Sequence, residues 1–240
     1  RAGQGSKSDT IRGVMRALGT SIITYTRQQA TELKGAMPKK TITAAPNALF
    51  SREQMQSGTS PMQPKNLIYV GRLTEAKKPM FLLRAFAKSL GDIPKGTQLV
   101  FVGEGPEMKK LQGFIEQNDL SARVKLKGHI SAHKKLGQLY SESLLSVSPG
   151  YVGLSVTQSF GFGVPMLVSK TENHSPEIEA VREGENALFF ETGSIEDFKE
   201  KLLQFYNNKP YWVSQRGQIV AFCKENYSVE AMAKVFANLM

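Results

Sequence analysis

The sequence predicts an α/β protein: a parallel sheet with helices on both faces. Three observations carry this. Six short, continuous apolar runs lie at 66–70 (NLIYV), 97–102 (TQLVFV), 123–126 (RVKL), 143–147 (SLLSV), 165–169 (PMLVS) and 187–190 (ALFF). Apolar runs without polar alternation mark strands buried on both faces. Helix-length segments separate them at 80–90, 106–117, 133–141 and 154–162, and such alternation is the pattern of parallel crossovers. Finally, four of the five loops that follow strands contain glycine: GRLTEAKKP, GEGPE, KGHIS and SPGYVGLS, but not SKTENHSPE. In open parallel sheets the ligand binds beyond the carboxyl ends of the strands, so these loops are the place to look for a site.

The remaining elements follow in order. Residues 1–10 (RAGQGSKSDT) are polar and read as loop, and Ile11–Leu18 as a helix. Residues 21–26 (SIITYT) are β-branched and predict a short strand. Gln28–Met37 predicts a helix stopped by Pro38, and 40–43 (KTIT) a second strand. Residues 51–65 (SREQMQSGTSPMQPK) have linker composition. Three helices close the chain, at Ile195–Asn207, Pro210–Glu225 and Val229–Leu239. There is no internal repeat.

With 240 residues, 40% of them hydrophobic, the chain can build one or two domains with a real core. No apolar run is long enough for a transmembrane helix, and no signal peptide is visible, although the chain opens on Arg1 rather than Met. The single cysteine, Cys223, excludes an internal disulfide and fits a reducing cytosol. His129, His133 and His174 lack metal-ligand spacing, so no metal is expected. The net charge is +10, concentrated in residues 1–65, which hold ten Lys/Arg against three Asp/Glu. Aromatics are not interleaved with those cations as a single-strand stacking platform requires, so no nucleic acid is expected. The basic quarter is compatible with peripheral contact at the inner face of a membrane, and equally with a solvated face.

Arg72 and Lys78 stand at the carboxyl end of the first buried strand, Arg72 beside Gly71. A guanidinium fork and a compact ammonium suit phosphate oxygens. Gly103-Glu104-Gly105-Pro106 follows the next strand, with Pro106 expected in the first helical turn; close strand–helix packing explains it as well as ligand contact does. Gly153 precedes a helix start, where free N–H groups favour anions, or it is only a turn residue.

The order of these loops resembles one family. VGRL-x5-KP, VGEGPE, V-x-L-x-G, a Gly-Leu helix start, GVPMLVS and PEIEAV together resemble the donor domain of group-one (family four) retaining glycosyltransferases. The resemblance implies a Rossmann-like domain, one half of a GT-B fold. It implies a tail of the acceptor-side domain at 1–50, a linker at 51–65, the donor-binding domain at 66–225, and a C-terminal helix at 226–240 packing toward the acceptor-side domain. The implied partners are a nucleotide-sugar donor and a sugar or lipid-linked acceptor. No cofactor is implied, because the nucleotide-sugar is substrate, and the setting is cytoplasmic polysaccharide assembly in bacteria.

Carried over by position, Arg72 and Lys78 resemble the catalytic pair on the donor diphosphate. Gly71, Gly103 and Gly105 lie in its loops. Gly128 and His129 lie where the backbone meets the base, and Gly153 and Leu154 at the phosphate helix. Glu177 matches the later PE element, with helix capping as the plainer role. The family's two glutamates eight residues apart are Gly150 and Gln158 here; Gln158 keeps hydrogen-bonding capacity toward a ribose without charge. Those departures keep a non-catalytic binding domain open as an alternative. A nucleotide-sugar epimerase is the other, although its catalytic acids and histidine-rich cleft have no counterpart in the sequence.

Overall fold

The computed structural model describes residues 7–58 and 63–239. Helix α1 (Lys7–Leu18) leads into strand β1 (Ser21–Thr24), α2 (Arg27–Ala36) and β2 (Thr41–Ala44). β1 and β2 pair in parallel as a separate two-stranded sheet. The main sheet follows with β3 (Asn66–Val70), α3 (Pro79–Ser89), β4 (Leu99–Val102), α4 (Met108–Gln117) and β5 (Val124–Leu126). Its second half holds α5 (His133–Glu142), β6 (Ser143–Ser148), α6 (Ser155–Gly161), β7 (Met166–Ser169) and β8 (Ala187–Phe190). Helices α7 (Ile195–Asn207), α8 (Lys209–Ser214), α9 (Arg216–Tyr227) and α10 (Val229–Ala237) complete the chain.

The six strands are all parallel, in the order β5-β4-β3-β6-β7-β8. This is the doubly wound order, which reverses direction between β3 and β6 and opens a crevice there. Alternation along each strand feeds two cores. Leu67, Tyr69, Leu99, Phe101 and Leu167 join α3, α4 and α7 on one face. Ile68, Val100, Val102, Met166 and Val168 join α5, α6 and α9 on the other. Both faces are covered, which is why the strands read as unbroken apolar runs.

Three details differ from expectation. The helix expected at 210–225 is broken at Gln215 into α8 and α9. The break lets Trp212 enter the first core while Ile219, Val220 and Cys223 enter the second. The segment expected as a linker at 51–65 is partly packed: its fully buried Met55 sits in the second core beside Phe50, while residues 59–62 lie outside the described part. Pro106 lies in a turn before α4 rather than in its first turn, with Glu107 as the capping residue.

The N-terminal unit is tied to the main sheet by specific contacts. Glu179, in a 3-10 turn at Pro176–Ala180, accepts from the Arg27 and Gln28 backbone N–H groups at the start of α2, each at 2.9 Å. The α10 end is held as well: Val229 N–H donates to Phe50 O, and the Glu230 carboxylate accepts from Arg52 N–H.

Candidate functional site

The crevice is built first from backbone. Leu73 N–H donates to Glu104 O at 2.8 Å, Glu107 N–H to Leu73 O at 3.0 Å, and Gly103 N–H to Gly128 O at 2.8 Å. The loops after β3, β4 and β5 therefore lie against one another. A Cβ on Gly103 would sit 1.9 Å from Gly71 O, and one on Gly105 would sit 2.4 Å from Leu73 O. Glycine is required at both positions for close approach of two main chains. The Tyr69 hydroxyl donates to Arg72 O at 2.8 Å, and burial pushes its pKa up, so it stays a donor.

On this frame Gly71, Arg72, Gly103, His129 and Gln158 share a cavity of about 460 Å³ with Glu104 at its side. The His129 backbone N–H faces Glu104 Oε1 at 3.4 Å. Gln158 Oε1 accepts from the buried Tyr140 hydroxyl at 3.5 Å, which fixes its half-buried amide at the cavity wall. Gly153 and Leu154 sit at the start of α6, Leu154 exposed, and neither lines the cavity.

The two lysines after Arg72 diverge. A 3-10 turn at Glu75–Lys77 ends on Lys78, whose φ of 52° and ψ of 41° are left-handed. The resemblance paired Lys78 with Arg72, but the structure turns the Lys78 ammonium to Glu172. Lys77 is the lysine whose ammonium the Arg72 charge reaches. Its Nζ donates to Tyr151 O at 2.8 Å and stands 3.4 Å from the Tyr151 ring centroid. Burial holds the Lys77 ammonium down to about 8; the Arg72 guanidinium pushes the same way and Glu177 opposes them. Arg72 is exposed, and among the described residues no carboxylate forms an ion pair with it. The Arg72 and Lys77 charges therefore oppose one another; Glu177 offsets part of this at Lys77, and the Glu104 carboxylate lines the same cavity as Arg72.

Glu177, 6% exposed, caps no helix: its Oε1 accepts from the Asn47 side-chain amide at 2.9 Å. Gly150 is filled by main chain rather than left empty. A Cβ there would meet Ala76 O at 2.5 Å and Lys77 C at 2.9 Å. The turn carrying Lys77 is seated directly on this glycine. Among the described residues, no three His, Cys, Asp or Glu side chains gather as a metal site.

The model of the family "Glycosyl transferases group 1" matches residues 50–220, most of the chain and all six strands of the main sheet. The chain belongs to that family. A curated relative, the exopolysaccharide phosphotransferase SCO2592 of Streptomyces coelicolor, is 29% identical over 165 residues, 67% of this chain and 17% of that protein. Among solved structures, TarM of S. aureus, in complex with fondaparinux, α-GlcNAc-glycerol and UDP, superposes with a TM-score of 0.74 at 19% identity, covering 98% of this chain and 46% of that one. HepE of Anabaena, in complex with UDP, gives 0.75 at 16% identity, covering 98% and 68%. These likenesses establish the Rossmann-like half of a GT-B fold. This chain spans less than a fifth of the curated relative and under half of TarM.

For this group 1 chain, the structure gathers Gly71, Arg72, Gly103, His129 and Gln158 around one cavity. Gly105 and Gly128 stand behind it as frame. Lys77, Tyr151, Glu172 and Asn47 were not singled out in the sequence, and His174 was weighed there only as a metal ligand. Only Lys77 carried a signal, as a second cation in the same basic loop.

Proposed function

We propose that this chain is the donor-binding half of a retaining glycosyltransferase that uses a nucleotide-sugar. The observation that carries this is Arg72, which lines the switch-point cavity with no ion-pair partner among the described residues, together with Lys77, whose charged form Arg72 disfavours: two mutually repelling cations call for negative charge. A diphosphate supplies that charge. It accepts the Arg72 fork and the Lys77 ammonium, and both interactions strengthen as negative charge builds on the departing phosphate. In this reading the cationic pair is Arg72 and Lys77, with Lys78 behind it. The base occupies the cavity beside Glu104 and His129, and Gln158 meets the ribose by hydrogen bonding. Two protein cations on the diphosphate remove the need for a divalent metal. The neighbours solved with UDP make a uridine diphosphate the first donor to try. Membership of the family and the exopolysaccharide relative favour a glycan or glycoconjugate acceptor.

A second reading, a non-catalytic nucleotide-binding domain, is favoured by Gly150: its space is closed by the Lys77 turn, so no side chain can act there. Calorimetric titration with UDP, GDP, dTDP and ADP tests the donor reading. Selective binding lost in both Arg72→Ala and Lys77→Ala, and only weakened in Lys78→Ala, supports it; a folded chain that binds none refutes it. Sugar transfer by a form that carries the acceptor-side domain separates the two readings.

A further inference from the structure

The loop after β7 reaches both walls of the anion site without lining the cavity itself. Glu172, with its side chain 13% exposed, pairs with Lys78 and also accepts from Ser169 Oγ at 3.2 Å. The loop is anchored to the end of β8: Ser169 Oγ and Thr192 Oγ1 lie 2.7 Å apart, and Thr171 N–H donates to Thr192 Oγ1 at 2.9 Å. Two residues on, His174 Nδ1 accepts from the Val152 backbone N–H at 3.1 Å, and its Nε2 meets Ser169 O at 3.0 Å. An accepting Nδ1 carries no proton, so the ring is the neutral tautomer with its hydrogen on Nε2, donating to Ser169 O. Ser175 N–H returns a bond to Val152 O at 3.2 Å.

We propose that Glu172 and His174 are positioning residues: the loop after β7 sets the anion site by clamping the Lys77 turn through Lys78 and the 149–154 loop through Val152. This rests on the donor reading for its purpose, though not for its geometry. Lys78 occupies a left-handed position that glycine would hold without strain. A lysine there has a side chain with a use, and its ammonium is engaged by Glu172. The two clamped pieces are the ones that touch at Gly150 and through Lys77 and Tyr151. Shifting either moves the Lys77 ammonium away from Arg72. The His174 clamp works only while the ring is neutral, because a protonated Nδ1 cannot accept from Val152. The charged groups facing His174 are Glu172 and Lys77, and burial favours its neutral form.

The test uses the whole chain, UDP as the probe, and the exchange of the Val152 amide followed by NMR. His174→Ala frees that amide, speeding its exchange, and weakens UDP about tenfold. His174→Asn places Oδ1 where Nδ1 was, so it restores both protection and affinity. It also removes the part of the decline in affinity on acidification that protonation of the UDP phosphate does not account for. Glu172→Gln, which keeps the shape and loses the charge, weakens UDP roughly three- to tenfold. The proposal is overturned if His174→Ala leaves Val152 protected, or if it binds UDP as the wild type does. Should His174→Ala not fold, His174→Asn and Glu172→Gln decide: a wild-type pH profile in the first and unchanged affinity in the second would sink it. If the wild type binds no nucleoside diphosphate, the donor reading fails separately. The clamp then stands or falls on Val152 exchange alone, faster in the alanine variant and restored in the asparagine one.

Discussion

The two flanks of the crevice are built by different means. On the β3–β4–β5 side, main chain holds main chain: Leu73, Glu104, Glu107, Gly103 and Gly128 exchange backbone hydrogen bonds, and the fit depends on two glycines. On the β6–β7 side, side chains hold the loops: Lys77 to Tyr151, Lys78 to Glu172, His174 to Val152. The main-chain bonds that build the first flank do not titrate, and Gly103 and Gly105 tolerate no added atom. The second is made of lysine, carboxylate and imidazole, so it responds to pH and to a charged ligand. One flank is a rigid reference surface; the other is adjustable and, in the donor reading proposed above, carries the chemistry of anion binding.

The sharpest way to break this contrast is to add one methyl group to the rigid flank. Gly103→Ala puts a Cβ 1.9 Å from Gly71 O in a backbone region unfavourable to alanine. It should cost roughly 3 kcal/mol or more of stability, read as a lowered thermal midpoint. Arg72→Ala and Lys77→Ala should do the reverse, leaving the midpoint nearly unchanged and removing about 1.5–3 kcal/mol of diphosphate binding by calorimetry. Gly150→Glu probes the seam between the flanks. It restores a carboxylate that the family commonly has at this position, yet its Cβ meets Ala76 O at 2.5 Å. Overpacking there should cost roughly 1–3 kcal/mol and displace Lys77, so UDP affinity should fall rather than recover. Recovery would show that the Lys77 turn is free to move.

The same division decided what could be read from sequence. The four central strands were legible because each is buried on both faces and so is written in a largely apolar run, while the edge strands β5 and β8, partly buried, were legible from their place in the alternation. Gly103 and Gly105 were visible as candidates, since backbone contact leaves a glycine behind. The choice between Lys77 and Lys78 was not legible: adjacent lysines are chemically identical, and only the left-handed end of a 3-10 turn sends them opposite ways. The break at Gln215 was hidden because it depends on which core each half of the segment enters. Glu172 and His174 sit in a loop without periodicity, and their partners are 94 and 22 residues away. Tertiary partnership of that kind leaves no local pattern.

The smallest effect expected is also the one that identifies the adjustable flank most directly. In the free chain the Lys77 ammonium loses its proton near pH 8, well below the usual 10.5, because burial and Arg72 both oppose its charge. A diphosphate beside it favours the charged form and moves that pKa back up. Binding near and above pH 8 must then take up a proton, and by linkage affinity falls as pH rises through 8 toward 10. If the bound lysine regains its ordinary pKa, the loss at pH 9 is about tenfold, or about 1.4 kcal/mol. The ligand does not confound this window, since a terminal phosphate with a second pKa near 6 is already ionised throughout it. Calorimetry in two buffers of different ionisation enthalpy reads the proton uptake directly. Lys77→Ala should abolish the uptake and flatten the profile, whereas Lys78→Ala should weaken binding yet keep the proton uptake. A flat wild-type profile would mean that the anion does not contact Lys77, and the cationic pair would have to be sought elsewhere in the crevice.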